Sequence, residues 1–417
     1  MTSGEIFTAQ IESIASGGAG FARLEGKSVF TELTAPGDIV KCRITKNKKY
    51  WAEAELLEVL EASPLRKEAE CRYYGVCGGC SLQHLDYDAQ IKAKTDILHN
   101  AFRRIGGMEA NLIPEIKIHR SAPFEYRNRL GFHIMDGKPA FRKRKSHQLV
   151  VIDDCPVADT AIRKALADGK LNQSQNKDRF SVYSRGNTFL AEGSQEKGRV
   201  LILDRELSID VKLFFQSNAA MLELLIEDLK IIAEKADKNL PLADIYCGGG
   251  TFASFLSGDC SGLNDSKGKT PDQKKQWSGE IDLVEENKAA LALAVENIPP
   301  GFKVNYNALT DTEWVKLMDN EKKKSWGFMV LDPPRDGMSS HFSKWLASQG
   351  PELLAYVSCD PATLARDSRC LLEGGYKLQA LNFYDFYPQT AHIESLAVFR
   401  KEREIMRNEK LEIRNYR

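Results

Sequence analysis

The residue with the most suggestive surroundings is a cysteine that follows an apolar run late in the chain. The run at 353–357 has the length and composition of a buried parallel strand, and Ser-Cys-Asp-Pro follows at 358–361. Asp360 can cap a helix, and Pro361 suits a first helical position. Cys359 is therefore expected at the carboxyl end of a strand, where open α/β sheets bind ligands and a helix dipole favours a thiolate. The alternative is a buried structural cysteine.

A glycine-rich turn after another short strand predicts a cofactor site. Asp-Ile-Tyr-Cys-Gly-Gly-Gly-Thr-Phe occupies 244–252, between an apolar strand and an apolar helix. The glycines let the backbone approach a nucleotide-like ligand, although the spacing is neither G-x-G-x-x-G nor a Walker loop. The next strand ends in Glu285, which could accept both ribose hydroxyls, with Glu280 as the fallback if the strand is shifted. A later strand ends in Asp-Pro-Pro-Arg at 332–335, a rigid loop at the same edge.

A separate group of cysteines has the spacing of a metal site. Cys71, Cys77 and Cys80 surround two glycines, so the three thiolates can wrap one metal centre. Cys155, which precedes Pro156, is the candidate fourth ligand, because Cys-Pro recurs in some iron–sulfur sites. Zinc also binds four thiolates. The spacing is not that of a paired C-x2-C knuckle, so a [4Fe–4S] cluster is favoured.

The composition limits the class of protein. The 417 residues include 58 basic and 58 acidic side chains, which argues against binding a polyanion over the whole surface but permits a local basic face. No apolar run has the length of a signal core or a transmembrane helix, so we expect a cytoplasmic protein with no membrane contact. In that reducing compartment the nine cysteines are not disulfides by default.

The N-terminal half of the chain divides into two stretches. Residues 1–60 alternate apolar and polar positions in short strands, which is typical of a small antiparallel barrel. The lysine-rich and aromatic hairpin at 46–51 suits an RNA-facing surface or is simply solvated. A central domain is expected at 61–205, with an amphipathic helix at 88–104 and a basic run at 142–145. That run could meet phosphates or could be solvated surface.

The C-terminal half changes to alternating helices and buried strands. This pattern at 206–403 predicts an α/β fold, closed by an antiparallel pair at 376–383 and 394–399. A polar, lysine-rich insertion is expected to be disordered at 261–278. A charged tail at 404–417 has no assigned role.

The whole combination resembles the bacterial RNA uracil-5-methyltransferases, most closely the iron–sulfur, TRAM-bearing branch that acts on 23S rRNA. The resemblance rests on Ser-Cys-x-Pro-x-Thr-Leu-x-Arg-Asp, Asp-Pro-Pro-Arg, a late His-x-Glu and the four-cysteine pattern. The Gly-Gly-x-Gly turn near the N-terminus resembles that of the OB-like TRAM barrel. Asp-x-x-Cys-Gly-x-Gly resembles the first motif of S-adenosylmethionine-dependent methyltransferases. The implied fold is α/β: a doubly wound, Rossmann-like methyltransferase domain, an N-terminal OB-like TRAM β-barrel, and a small α+β central domain with an iron–sulfur cluster.

The resemblance also implies a role for particular residues. It places contacts to S-adenosylmethionine at Gln216, Tyr246, Glu285 and Asp332. It places a [4Fe–4S] cluster on Cys71, Cys77, Cys80 and Cys155. It makes Cys359 the nucleophile and Glu394 the general base. The chain departs from the family pattern at Thr251, where many members have Asn, and in the insertion after Gly258.

The expected chemistry explains why these residue types are needed. Carbon 5 of uracil is a weak nucleophile, and thiolate addition to carbon 6 turns the ring into an enolate. A base must then remove the carbon 5 proton, and the target uridine must leave its stack. His392 either orients the substrate or is structural. Alternatives are a tRNA uridine enzyme, an RNA cytosine-5 enzyme, which would usually have Cys in place of Arg335, and a non-catalytic iron–sulfur RNA-binding protein. No stable protein partner is expected.

Overall fold

The computed structural model describes residues 2–172, 178–258, 277, 279–320 and 324–401 of the chain. Apart from Trp277, the insertion expected at 261–278 lies outside these residues, as does the tail expected at 404–417. Within the described part, the strands form three sheets and a two-stranded hairpin. None of the described helices is long and apolar enough to cross a membrane.

The N-terminal sheet is mixed rather than wholly antiparallel. Its strands are β1 (Ile6–Gln10), β2 (Ser13–Ile14), β3 (Gly20–Leu24), β4 (Lys27–Thr31), β5 (Ile39–Asn47) and β6 (Trp51–Glu61). Their order is β1-β5-β6-β4-β3-β2, and β4 and β6 are parallel. The expectation of a purely antiparallel barrel is wrong at this one pair, because β6 returns into the gap between β5 and β4. Alternate residues of β5, namely Val40, Cys42 and Ile44, face the core of this sheet.

The central stretch contains a five-stranded antiparallel sheet in the order β10-β9-β8-β11-β12, followed by a hairpin. Its elements are α1 (Tyr87–Arg104), β7 (Ile116–His119), β8 (Arg129–Met135), β9 (Lys138–Arg142), β10 (Leu149–Val151), α2 (Thr160–Ala167), β11 (Arg179–Arg185), β12 (Thr188–Ala191), β13 (Lys197–Ile202) and β14 (Arg205–Asp210). The predicted helix at 88–104 is confirmed and begins one residue earlier. Asp86 caps it by accepting a hydrogen bond from the Ala89 N–H at 2.7 Å.

The C-terminal part is a doubly wound α/β layer. Its elements are α3 (Ala219–Ala233), β15 (Leu242–Ile245), α4 (Thr251–Leu256), β16 (Glu280–Val284), α5 (Lys288–Asn297), β17 (Lys303–Asn307), α6 (Asp311–Asn320), β18 (Phe328–Leu331), α7 (Ser340–Gln349), β19 (Leu353–Ser358), α8 (Pro361–Glu373), β20 (Tyr376–Tyr384) and β21 (Glu394–Lys401). The eight-stranded sheet has the order β17-β16-β15-β18-β19-β21-β20-β7. Strands β15 to β19 are parallel to one another. Strand β21 is antiparallel to β19 and β20, as expected for a closing pair.

Both faces of this sheet are covered, which explains its uninterrupted apolar strands. In β18, Phe328 and Val330 belong to the hydrophobic core on one face, and Met329 and Leu331 belong to the core on the other. Such two-sided burial is typical of parallel sheets between helices. It brings the carboxyl ends of β15, β16, β18 and β19 to one edge.

Two elements of the stretch 61–205 belong to this C-terminal layer. Strand β7 pairs with β20 in parallel, with Ile118 opposite Phe383, and extends the sheet by one strand. Helix α1 packs against α8. The division into domains at 1–60, 61–205, 206–403 and 404–417 stays a prediction. Two elements that precede residue 206, β7 and α1, are part of the C-terminal layer.

Candidate active site

Cys359 lies between a buried strand and the helix that follows it. All six residues of β19 are buried, and α8 begins with Pro361. The carboxylate of Asp360 caps α8 by accepting hydrogen bonds from the N–H groups of Ala362 and Thr363 at 2.9 Å each. The half-buried Cys359 therefore stands at the carboxyl end of β19, where the apolar run placed it.

Negative charges near Cys359 disfavour the thiolate form that the sequence predicts. Burial, followed by the carboxylates of Glu394 and Asp332, raises the pKa of Cys359 to about 12, and Arg335 counteracts this only in part. The helix dipole that is expected to favour a thiolate therefore acts against burial and two carboxylates, and an activated thiolate at Cys359 stays a prediction. The charged groups of Glu394, Asp332 and Arg335 thus lie near Cys359, and we call the region around these four side chains the active-site pocket.

Glu394 is a buried carboxyl group with an unused oxygen. It is the first residue of β21, whose Ser395 lies opposite Ser358 of β19, so Glu394 reaches the sheet edge beside Cys359. Burial, together with the nearby Asp332, raises the pKa of Glu394 well above its ordinary value. Its Oε1 has no hydrogen-bond partner within the described chain. One side of this carboxyl group is therefore available to a ligand.

The loop after β18 and the segment before β21 form the rim of the pocket. Asp332 donates its backbone N–H to the carbonyl of Ile245 at 3.3 Å, and burial raises the pKa of its carboxyl group to about 7. Arg335 is exposed at the end of the same loop. His392 is also exposed, and its ring stands edge-on to that of Tyr387 at 5.6 Å between centroids.

The glycine-rich turn after β15 has the backbone that a close ligand approach requires. Tyr246 has a φ of 63° and Gly250 a φ of +75°. A Cβ at Gly250 would lie 2.8 Å from Ala294, so glycine is needed there for both its conformation and its size. The Tyr246 hydroxyl donates to Oδ2 of Asp311 at 2.7 Å, which fixes the ring at the sheet edge. Sequence reasoning did not find Asp311, because it lies far along the chain at the start of α6.

Glu285 lies directly beyond β16, at the same edge as this turn. Its Oε2 accepts the N–H of Gly248 at 3.1 Å, and its Oε1 accepts the N–H of Asn287 at 2.8 Å. Glu280 lies at the other end of β16 and binds Asn305 and Lys324. The position of Glu285 therefore suits a cofactor contact better than that of the fallback.

Asp244 lies near two other acidic residues, Asp332 and Glu285, and the sequence motif did not reveal this position. Its Oδ2 accepts the N–H of Ala253 at 2.9 Å and ties β15 to α4, while its Oδ1 has no partner within the described residues. Burial raises the pKa of Asp244 to about 8, and the carboxylates of Asp332 and Glu285 add to the shift. Asp244, Asp332 and Glu285 therefore lie near one another around the turn.

Gln216 lies just before α3, on a segment that contacts the loop preceding β21. It is buried, and its Oε1 lacks a hydrogen-bond partner among the described residues. Asn218 caps α3 and donates to the Ser121 hydroxyl at 2.8 Å and to the Phe386 carbonyl at 3.2 Å. The unpartnered amide oxygen of Gln216 suits a ligand donor.

The four candidate metal ligands line one cavity of about 190 Å³ at the side of the central sheet. They are Cys71, Cys77, Cys80 and Cys155, and Arg127 also lines the cavity. Burial, with the neighbouring cysteines contributing, raises the pKa of Cys80 to about 11 and that of Cys155 to about 12. In the part of the chain that the structure describes, no three His, Cys, Asp or Glu side chains are arranged to hold a single metal ion.

The two basic runs have different surroundings. In the hairpin between β5 and β6, the Lys49 ammonium lies 5.0 Å from the ring centroid of Tyr50, a tyrosine that is 71% exposed. In the run at 142–145, Arg144 and Lys145 both pair with Glu32 of the N-terminal sheet. Arg144 also donates to the Cys80 carbonyl. Two of the four basic residues of this run therefore join parts of the protein, and a phosphate contact of the run stays a prediction.

Two known protein families match this chain, one in its N-terminal sheet and one in its C-terminal layer. Residues 1–57 match the TRAM domain family, and residues 196–402 match the family described as tRNA (Uracil-5-)-methyltransferase. The second match makes the doubly wound layer, with its glycine-rich turn and acidic strand ends, the domain of an S-adenosylmethionine-dependent methyltransferase. The N-terminal TRAM domain marks it as an enzyme of RNA.

Relatives that match nearly the whole chain narrow the class further. An "Uncharacterized RNA methyltransferase" of Treponema denticola is 34% identical over 90% of this chain and 94% of its own length. A "23S rRNA (uracil(1939)-C(5))-methyltransferase RlmD" of Shewanella sediminis is 30% identical over 92% of this chain and 93% of its own length. The chain belongs to the RNA uracil-5-methyltransferase family and is an S-adenosylmethionine-dependent RNA (uracil-C5)-methyltransferase, as the sequence predicted.

A solved structure shares the fold. The tRNA (uracil-54, C5)-methyltransferase of Pyrococcus abyssi, in complex with S-adenosyl-L-homocysteine, has a TM-score of 0.68 with this protein. The match covers 94% of this chain and 100% of that one at 21% identity. It confirms the predicted Rossmann-like methyltransferase layer. The iron–sulfur part of the predicted central domain is not shown by this likeness.

Proposed function

We propose that this enzyme methylates carbon 5 of a uridine in 23S rRNA through a covalent bond between Cys359 and carbon 6. The carrying observation is the pocket in which Cys359 at the end of β19 faces the buried, partly unpaired carboxyl of Glu394. Addition to carbon 6 requires a nucleophile, and removal of the carbon 5 proton requires a base. The two side chains lie near each other at the ligand-binding edge of the sheet.

The steps balance with these two side chains. The thiol of Cys359 loses its proton to solvent, and its sulfur bonds to carbon 6. The carbon 5–carbon 6 π pair becomes a carbon 4–carbon 5 double bond, and the π pair of the carbon 4 carbonyl moves to its exocyclic oxygen, which gives the enolate. When bound, S-adenosylmethionine supplies an electrophilic methyl group on a sulfonium cation, whose charge favours the ionised forms of the acidic groups around it. After carbon 5 has gained the methyl group, Glu394 takes its proton. The electron pair of that bond restores the ring double bond, and the sulfur of Cys359 leaves carbon 6.

The proposed cofactor contacts come from two places. Tyr246 and Glu285 lie around the glycine-rich turn. Asp332 lies near Cys359, and Gln216 has an unpartnered amide oxygen just before α3. Glu285 has both carboxylate oxygens held by backbone N–H groups, so it is fixed for ribose hydroxyls. Asp244 and Asp311 hold the turn without a proposed cofactor contact.

The choice of 23S rRNA rests on the names of relatives that match over their whole length. A tRNA substrate is the second candidate, because the matching family is described by that substrate. Cytosine-5 methylation is less well supported, since Arg335 stands where such enzymes usually have cysteine. An enzyme that modifies ribosomal RNA works where ribosomes are assembled, so we place it in the cytoplasm.

We also propose a [4Fe–4S] cluster in the four-cysteine cavity. Four sulfur donors around one cavity are a donor set for a soft metal centre, and a cation among them would relieve the repulsion between thiolates. Zinc is the competing ion, because it also binds four thiolates. The cysteine spacing, which is not that of a paired C-x2-C knuckle, favours the cluster. Its role would be to tie the linker at 71–80 to the central sheet.

The lysine and aromatic hairpin between β5 and β6 is the proposed RNA contact of the TRAM domain. Replacing Lys46, Lys48 and Lys49 with Gln should weaken RNA binding and reduce the salt dependence of the binding constant by about one unit of slope for each lost phosphate contact. Gln replacements of Arg142 and Lys143 in the second run should change that slope less. An unchanged slope in the triple variant would mean that the hairpin is only solvated.

The substrate is tested directly by mapping 5-methyluridine in RNA from a deletion strain. Loss of the modified nucleoside at one 23S rRNA position, restored by the wild-type gene but not by Cys359→Ala, is expected. Loss from tRNA instead would select the second candidate. Unchanged 5-methyluridine in both RNA classes would contradict the proposed substrate.

A further inference from the structure

The segment that leads into Glu394 is a loop whose conformation sets the wall of the catalytic pocket. Residues 385–393 connect β20 to β21, and Tyr384 pairs with Glu394 across the two strands. Glu394 is thus the first residue after the loop. Within the loop, the phenol of Tyr387 lies close enough to Glu394 and Cys359 to sense both of their charges. A shift of this loop would therefore change the space around both proposed catalytic groups.

A buried lysine of α1 holds the first half of the loop. Lys94 and Asp385 are both fully buried, and the Lys94 ammonium donates to Oδ1 of Asp385 at 2.6 Å. The same ammonium donates to the backbone carbonyl of Tyr387 at 2.9 Å. Removing two charges from water is costly, and apolar residues can often replace such a pair without loss of stability. The pair therefore suggests a role in fixing geometry.

A reciprocal amide pair holds the second half. The Gln90 side chain accepts the backbone N–H of Gln389 at 2.9 Å and donates to its side-chain oxygen at 3.0 Å. Gln389 is fully buried and has a φ of 68°, an unfavourable conformation for a residue with a side chain. Its carbonyl accepts the N–H groups of Ser81 and Leu82 at 3.0 and 2.9 Å. The conformation of Gln389 is therefore held by its hydrogen-bond partners.

We propose that Gln90 and Lys94 of α1 are positioning residues that aim the Glu394 carboxylate at carbon 5 by fixing the loop 385–393. This inference rests on the proposed role of Glu394 as the base. Neither side chain contacts the substrate in this scheme. Both act from a helix that precedes the catalytic layer in the sequence. The loop thus takes its conformation from α1 and from the segment directly after Cys80.

The consequence is a selective defect in elimination. Misplacing a reacting group by about 1 Å can cost on the order of 10²-fold, so Gln90→Leu, which keeps the bulk but removes the amide, should slow proton removal roughly 10- to 100-fold. Addition of Cys359 and methyl transfer precede this step. A methylated protein–RNA adduct should therefore accumulate relative to product. Lys94→Met should act in the same direction, and Lys92→Met, on the exposed face of α1 and paired with Asp96, is the matched control.

Two measurements separate the possible results. The adduct-to-product ratio is followed on denaturing gels with methyl-labelled cofactor, and hydrogen exchange of 385–393 is measured in the full-length protein. Faster exchange together with a raised ratio in Gln90→Leu, and neither in Lys92→Met, is the expected result. An unchanged ratio, or a proportional fall of adduct and product, would overturn the positioning role and leave Glu394 as the base. Absence of any adduct in Glu394→Gln would instead remove the proposed role of Glu394 itself, and this inference with it.

Discussion

Two pockets of this molecule contain cysteine thiols with raised pKa values, and the pockets differ in what surrounds the sulfur. In the active site, burial and two carboxylates raise the pKa of Cys359. In the four-cysteine cavity, burial raises the pKa of Cys155, and the charges of other cysteines add to it. An arginine opposes the shift in each pocket, Arg335 in the first and Arg127 in the second. Both pockets therefore contain buried cysteines. They differ in the charged neighbours, which are carboxylates in the active site and other cysteines in the cavity.

The neighbours decide which chemistry each pocket can perform. A thiol beside a carboxyl group with an unused oxygen can add to a carbon centre while the carboxyl group moves a proton. The other cavity gathers four thiols, and four soft donors around one space suit a metal centre. The active-site pocket also lies at the carboxyl ends of parallel strands, whereas the cavity lies beside an antiparallel sheet. This difference supports the proposals that the first pocket carries out the reaction and that the second holds a metal centre.

The sharpest way to break this comparison is to remove one thiol from each pocket. Cys359→Ala cannot add to carbon 6, so both the RNA adduct and the product should be undetectable. Cys155→Ser keeps the nucleophile, so any protein that remains folded should still form the adduct. The assay is a denaturing gel with methyl-labelled cofactor. An adduct in Cys359→Ala would show that another group is the nucleophile.

Removing the base should have the next largest effect. Glu394→Gln keeps nearly the same shape but cannot accept the carbon 5 proton, so elimination should slow by roughly 10²–10⁴-fold, the usual contribution of a general base. Adduct that carries the cofactor's methyl group should survive denaturation. Glu352→Gln, at the opposite end of β19, is a control in which no adduct should accumulate. Turnover of Glu394→Gln at the wild-type rate would contradict the assignment.

Much of the catalytic layer could be predicted because its signals are local. Each of three features is recognisable from a few consecutive residues: the apolar run of β19, the capping residue Asp360 and the glycines after β15. These signals placed Cys359 and the cofactor turn at the carboxyl edge of the sheet. The four candidate metal ligands were found from the cysteine spacing and the Cys155-Pro156 pair. Glu394 came only from the resemblance, since a lone carboxyl group has no local signature.

The features that could not be predicted depend on distant pairings. Strand β7 is four residues long and is recognisable only beside β20. Arg144 looks like part of a phosphate-binding run until Glu32 is brought to it by the N-terminal sheet. The raised pKa of Cys359 likewise depends on Glu394 and Asp332, which lie on other strands or loops. Local reasoning from the helix dipole could not include burial or these two distant carboxylates.

For the cavity, the prediction concerns stability and metal together. A four-thiolate centre ties the linker at 71–80 to Cys155 across a long loop, and loss of a metal site belongs to the mutations that can cost more than about 4 kcal/mol. Cys155→Ser should therefore lose bound iron and lower the free energy of unfolding in urea. Anaerobically purified wild-type protein should be brown and contain about four irons per chain. One equivalent of zinc without visible absorbance would contradict the cluster, and Cys370→Ser is the matched control.

The smallest expected effect is the pH dependence of thiol reactivity, which sharpens the comparison inside the active site. Because the pKa of Cys359 is raised to about 12, its thiolate fraction in the free enzyme should rise about tenfold per pH unit through the neutral range. The alkylation rate of Cys359 with iodoacetamide should follow, with no plateau below about pH 9. Glu394→Gln removes a carboxylate that disfavours the thiolate, so alkylation should be faster, and increasingly so as pH rises and wild-type Glu394 ionises. A plateau near neutral pH would show that the helix dipole outweighs the carboxylates after all.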